Sequence, residues 1–276
     1  MSWSAQTGFS LNGNATVLQG FCDHDDSVGV GSAVPARLNL LRSQALRLMG
    51  ATHRRFSHNP PDSALPPIMS RIGVVTMSEN RDYGLDRYLP FVTAFARRDR
   101  NEASVAWWSV CNEVECFATR NSTPASIVEA FHDADPSRLV GANVFPVPNS
   151  QQAMFDSLQI QGLSHQKQEI FDQFHAKYPD KPMAASESSS CLSQLSEPAV
   201  NKSAGVFWDN FNQPCGIQDF LKSGNLSWSA GVAGVWSERR ACVPHPRPGP
   251  PRRAVPPLAR RMPLAQVPSP PPCPLS

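Results

Sequence analysis

Two glutamates stand directly beyond apolar runs. Ser104-Val105-Ala106-Trp107-Trp108-Ser109 reads as a buried strand that delivers Cys111-Asn112-Glu113 past its end, and Pro182-Met183-Ala184-Ala185-Ser186 does the same for Glu187. Carboxylates on separate strands, pointed into one mouth, are what glycosidic cleavage requires: one protonates the leaving oxygen while the other attacks or orients water. Either glutamate alone reads equally well as a rim or salt-bridge residue, and it is the repeated placement that favours chemistry. Their separation decides between retention, at about 5–5.5 Å, and inversion, at about 6.5–9.5 Å, and a sequence holds no distances.

The elements that must position this pair alternate short β-like runs with helical stretches from about residue 17 to 237, the pattern of a parallel sheet with crossover helices. About eight such units predict an α/β fold, a (β/α)8 barrel, whose active site opens at the carboxyl ends of its strands. Thr16 to Phe21 is the first strand. A helix follows with Pro35 near its start, Leu38, Leu41, Ala45 and Leu48 on one face and Gly50 at its end. Ala51 to Phe56 leads to Ser57-His58-Asn59-Pro60-Pro61, and a short helix with Pro66 and Pro67 in its first turn closes at Gly73 before the strand Val74 to Met77. Further helices are predicted around Leu89 to Arg97, from Thr123-Pro124 to near Asp135, and over Gln166 to Lys177. Leu139 to Val144, Leu158 to Gly162, Pro182 to Ala185 and Gly231 to Trp236 supply the other strands. Trp107 and Trp108 alternate across their strand, so at least one of them fills the barrel.

Composition narrows the function classes. The chain of 276 residues is 41% hydrophobic without an apolar run of membrane-spanning length, so it reads as soluble, with no membrane partner. No signal peptide is visible after Met1, and the compartment is left open. The whole-chain charge is +2, but residues 239–276 hold seven Arg and no acid, which leaves the remainder at −5. An acidic body argues against nucleic acid as a partner. Seven scattered Cys match neither a zinc spacing nor a dense disulfide framework and are expected as small core or rim residues. Beyond Ser237 the last residues carry 13 of the 27 Pro without apolar periodicity, so 238–276 is expected to be a disordered Pro/Arg-rich tail.

Several segments, in matching order and spacing, resemble glycoside hydrolase family 2, which contains β-galactosidases, β-glucuronidases and β-mannosidases, and most closely its β-galactosidase-like members. They are Phe9-Ser10-Leu11-Asn12-Gly13 with Gly20-Phe21-Cys22-Asp23-His24, Arg55-Phe56-Ser57-His58-Asn59-Pro60, Arg98-Asp99-Arg100-Asn101, Trp108-Ser109-Val110-Cys111-Asn112-Glu113 and Ser186-Glu187. The resemblance implies a retaining exo-β-glycosidase that acts on terminal β-linked sugars through a glycosyl-enzyme, with Glu113 as acid/base and Glu187 as nucleophile. It further implies that Asn112 holds the sugar 2-hydroxyl, that Arg55 keeps the nucleophile ionised, that His24 and His58 line the sugar subsite, and that Trp236 is a platform for the sugar face. Taken singly, those residues read as a turn former, a rim ion pair, structural histidines and core.

No cofactor is expected. Some family members use an acid after the third strand to hold Mg²⁺; here Glu79 and Asp82 occupy that region without the accompanying His, and a rim hydrogen-bonding role is expected for both. The sequence also departs from the family. The match begins within ten residues of Met1, so 1–16 reads as the remnant of an upstream segment and 17–237 as the barrel. The family's Tyr upstream of the nucleophile is replaced by Ser164-His165, and the Arg/Pro-rich tail stands where a closing helix would follow Trp236. The barrel is therefore expected to be incomplete at its C-terminal end. The alternative function is an inactive truncated barrel serving at most as a carbohydrate-binding or interaction module.

Overall fold

The computed structural model of the chain describes residues 1–24, 27, 29–80, 85–113, 124–144, 152–166, 168–188 and 229–236. Three short strands, β1 (Ser2–Ser4), β2 (Gly8–Leu11) and β3 (Asn14–Ala15), form an antiparallel sheet. The alternating series follows: β4 (Leu18–His24), α1 (Ala36–Leu48), β5 (His53–Ser57), α2 (Leu65–Ile72), β6 (Val75–Glu79), α3 (Leu85–Asp99), β7 (Val105–Asn112), α4 (Pro124–Ala134), β8 (Leu139–Val144), α5 (Gln152–Ser157), β9 (Ile160–Ser164), α6 (Gln168–Lys177), β10 (Met183–Ser188) and β11 (Ser229–Trp236). Strands β4 to β11 pair in parallel, each with the next in sequence, and β11 returns to β4, which closes a barrel of eight. This is the expected (β/α)8 architecture. The expectations for the helix after Trp236 and for the tail lie outside the described residues.

The two tryptophans of β7 fill different cores. Trp107 points to the strand-start end of the barrel among Leu18, Val75, Met77 and Ile160, where Phe9 and Trp3 of the small sheet seal it. Trp3 Nε1 donates to the Ala106 carbonyl at 3.3 Å, so the segment before β4 packs under the barrel floor. Trp108 points outward, stacks on Phe131 at 5.5 Å and donates Nε1–H to Asp135 at 3.0 Å, which ties β7 to α4. In α2, Pro66 and Pro67 lie in the first turn and Gly73, at φ 71°, ends the helix in the left-handed conformation that its missing Cβ permits.

Helix α1 overturns its sequence reading. The leucine face does not turn inward: Leu41 is 61% and Leu48 88% exposed, while Asn39, Arg42, Ser43 and Leu46 are buried. The cause lies on the neighbouring strands. Asp23 of β4 and Arg54 of β5 face α1 as a buried ion pair, Arg42 donates to Asp23 at 2.5 Å, and Ser43 Oγ accepts from Arg54 at 3.0 Å. An uncompensated buried charge costs several kcal/mol, more than about 1.5–3 kcal/mol for covering one leucine, so the ion pair selects the face. The cysteine expectation also needs amending: Cys22 is a free, buried thiol, but Cys111 is disulfide-bonded.

Candidate active site

The carboxyl ends of the strands run further than their apolar patterns. β4 continues to His24, β6 to Glu79, β7 to Asn112 and β10 past Glu187, and these polar ends converge in the barrel mouth. Arg55, fully buried on β5, is their hub. Its guanidinium donates to Glu79 Oε2 at 3.0 and 2.7 Å, to Glu187 Oε2 at 2.6 Å and to Asn112 Oδ1 at 2.5 Å. Burial opposes its charge, but Glu79, Cys22 and Glu187 around it outweigh that and hold it protonated.

Glu79 is fully buried at the centre of this network, which corrects the rim role expected for it. Oε2 also accepts from Ser109 Oγ at 2.9 Å and from Asn143 Nδ2, while Oε1 meets His58 Nδ1 at 2.8 Å. A carboxylate only accepts, so Nδ1 of His58 carries the proton. With protein donors on both of its oxygens, Glu79 does not fit as a ligand of hydrated Mg²⁺; Asp82 lies outside the described residues. His24 and His58 meet edge to face at 4.9 Å, and burial, followed by the neighbouring His58, lowers the pKa of His24.

Glu113 and Glu187 face each other across the mouth. One carboxylate oxygen of each and the imidazole of His165 all lie within 4.8 Å of one another. His165 Nε2 is 3.4 Å from Glu113 Oε1 and 3.4 Å from Glu187 Oε1, and the His165 backbone N–H donates to the Glu187 carbonyl at 2.7 Å. Both Glu113, at φ 46°, and His165, at φ 53°, hold left-handed backbone that non-glycine residues adopt at a cost, and such outliers concentrate at functional sites.

The two carboxyls are driven apart in acidity. Burial, then the charge of Glu187, raises the pKa of Glu113. Glu187 is even more buried, yet the hydrogen bond from His165 and the charge of Arg55 overcome that and hold it well below the usual carboxylate range. The site therefore keeps one carboxyl that gives up its proton late beside one that stays ionised. The structure brings together Glu113, Glu187, Asn112, Arg55, His24 and His58. Trp236 ends β11, whose backbone pairs with Asp23, and its side chain lies outside the described residues. Glu79 and His165, with Ser109 and Asn143, are the members that sequence reasoning undervalued; the strand-end rule that found Glu113 applies equally to Glu79.

Residues 84–194 match the family described as glycosyl hydrolases family 2, TIM barrel domain. The chain carries a family 2 barrel domain. Over 239 residues it is 30% identical to beta-galactosidase BoGH2A of Bacteroides ovatus, covering 69% of this chain and 28% of that protein. A putative beta-glucuronidase of Formosa agariphila is 30% identical over 152 residues, 50% of this chain and 14% of that one. Among solved structures, a glycosyl hydrolase family 2 member from Bacteroides cellulosilyticus superposes with a TM-score of 0.66 at 24% identity, covering 85% of this chain and 30% of that chain, a likeness of fold. The family 2 barrel here thus spans less than a third of the length of these relatives. Among the described residues no helix is long and apolar enough to cross a membrane.

Proposed function

We propose that the barrel is a retaining exo-β-glycosidase that cleaves terminal β-linked sugars, with β-galactosides the favoured substrate class. The observation that carries this reading is the pair Glu113 and Glu187, with carboxylate oxygens within 4.8 Å and acidities displaced in opposite directions. That approach of the two carboxylates supports direct attack by one of them, the geometry of retention. Glu187, ionised beside Arg55, attacks the anomeric carbon while Glu113 gives its proton to the departing oxygen. The glycosidic bond breaks and a glycosyl ester forms. Once Glu187 is esterified its charge is gone, which removes one cause of the raised Glu113 pKa and suits Glu113 to take a proton from water. The resulting hydroxide attacks the anomeric carbon, frees Glu187, and the configuration is restored.

Asn112, its carbonyl fixed on Arg55, serves the sugar 2-hydroxyl; His24 and His58 line the subsite, and Trp236 is assigned to the sugar's apolar face. No cofactor enters either step. The β-galactoside preference rests on the resemblance and on BoGH2A being named a beta-galactosidase, while other relatives are named beta-glucuronidases. Proton NMR of fresh hydrolysate from an aryl β-galactoside tests the reading: the β-anomer should appear first. First appearance of the α-anomer overturns retention, and turnover of the β-glucuronide alone overturns the substrate.

A further inference from the structure

The imidazole of His165 is placed to do more than orient Glu187. Its Nε2 stands 3.4 Å from Glu113 Oε1 and 3.4 Å from Glu187 Oε1, and the three donor atoms fall within 4.8 Å of one another. In a tetrahedral zinc site with bonds of about 2.0–2.2 Å, ligand atoms are separated by about 3.3–3.6 Å. Two of the three edges already have that length. Glu113 Oε1, buried with no hydrogen-bond partner, belongs to the more exposed of the two carboxylates and is the atom that can swing to close the third. Glu187 meanwhile retains Arg55 on its other oxygen.

We propose that Glu113, His165 and Glu187 form a binding site for one divalent transition-metal ion, with Zn²⁺ the type, that competes with the sugar. One imidazole and two carboxylates favour Zn²⁺, Co²⁺ or Cu²⁺ over Mg²⁺ and Ca²⁺, which prefer all-oxygen sites. A water would complete the tetrahedron. Coordination needs the Nε2 lone pair, so the proton now donated to Glu187 moves to Nδ1. Ion binding stands on the three side chains alone; the inhibition that follows from it rests on the glycosidase reading.

Isothermal titration of ZnCl2 into the full chain, with millimolar Mg²⁺ present, tests the site. The chain has six other His, and cysteines outside the disulfide of Cys111, that can also attract zinc, so the readout is a difference between proteins. His165→Gln and, separately, Glu113→Gln should each lose one equivalent or bind it at least tenfold more weakly, in protein whose melting curve shows it folded. Co²⁺ should give the intense visible absorption of a tetrahedral site in the unaltered chain and lose it in either variant. Glu113→Gln alters the more exposed ligand, so it decides the matter if His165→Gln does not fold. Equal zinc binding by all three proteins, an adventitious ion only, overturns the proposal. If zinc binds as predicted while glycoside turnover is unaffected, competition is overturned and the site stands. A chain without turnover leaves the titration to decide the site by itself.

Discussion

Replacing Glu79 by Gln tests the network that holds the site together. Arg55 and Glu79 are both fully buried, joined by bonds of 3.0 and 2.7 Å, and Glu79 also takes Ser109 at 2.9 Å and His58 at 2.8 Å. Opposite charges about 4 Å apart attract by about 4 kcal/mol at an effective dielectric constant of about 20, and removing one member of a buried pair typically costs about 3–5 kcal/mol. That loss is a large part of a whole-domain margin of about 5–15 kcal/mol. At about 2–4 °C per kcal/mol for a unit of this size, Glu79→Gln should melt about 6–20 °C lower and shift its urea midpoint down with an unchanged slope. Arg55→Met should do similar damage, since it leaves Glu79 and Glu187 without their shared cation. The double variant removes both members of the pair and should be less destabilised than the sum of the two by at least about 1 kcal/mol. Singles within about 1 kcal/mol of the unaltered chain, or a double equal to the sum, would refute the account of Arg55 and Glu79 as one coupled unit.

The pH profile of kcat/KM on a β-galactoside with a poor, alkyl leaving group should be a bell: activity needs Glu187 ionised and Glu113 protonated. Its acid limb reports the depressed Glu187 and lies below the usual carboxylate range, while its alkaline limb reports Glu113 above the ordinary value of 4.5. Glu113→Gln should abolish the alkaline limb, and a limb that survives that change would contradict the assignment. His165→Gln withdraws one of the groups holding Glu187 ionised, so the acid limb should move to higher pH; a limb that stays in place argues against His165 as a positioning residue. Gly162→Ala would set a methyl group 2.8 Å from the Ala142 carbonyl, 2.9 Å from Ser186 Cβ and against Asn143 Oδ1, an overpacking worth about 1–3 kcal/mol by urea titration, and an unchanged midpoint would contradict it.

The barrel was legible because its period repeats: β7 and β10 are apolar runs that end in glutamates, and nothing but strand geometry is needed to place Glu113 and Glu187 in one mouth. The strand ends were harder to read, since Asp23-His24, Ser78-Glu79 and Cys111-Asn112 look like loops when polarity is taken for exposure. Here the polar residues are buried because each meets another across the barrel: Glu79 on Arg55, Asn143 and Ser109. Helix α1 misled for the converse reason. Its leucines are periodic, but Asp23 and Arg54 on other elements decide which face turns in, and that pairing across 31 positions leaves no local trace. The same holds for His165, whose ring is given its meaning by two glutamates 52 and 22 residues away. The small sheet that carries Trp3 and Phe9 was missed because strands of two to four residues fall below the length at which alternation shows.

The central claim is that Glu187 forms the covalent bond to sugar and Glu113 handles the protons. A 2-deoxy-2-fluoro β-galactoside with a good leaving group forms the glycosyl-enzyme quickly and releases it slowly, so peptide mass spectrometry can locate the ester. The account predicts a single 2-fluorogalactosyl adduct on the peptide containing Glu187, absent from Glu187→Gln. An adduct on the peptide containing Glu113, or an adduct that persists in Glu187→Gln, would contradict it.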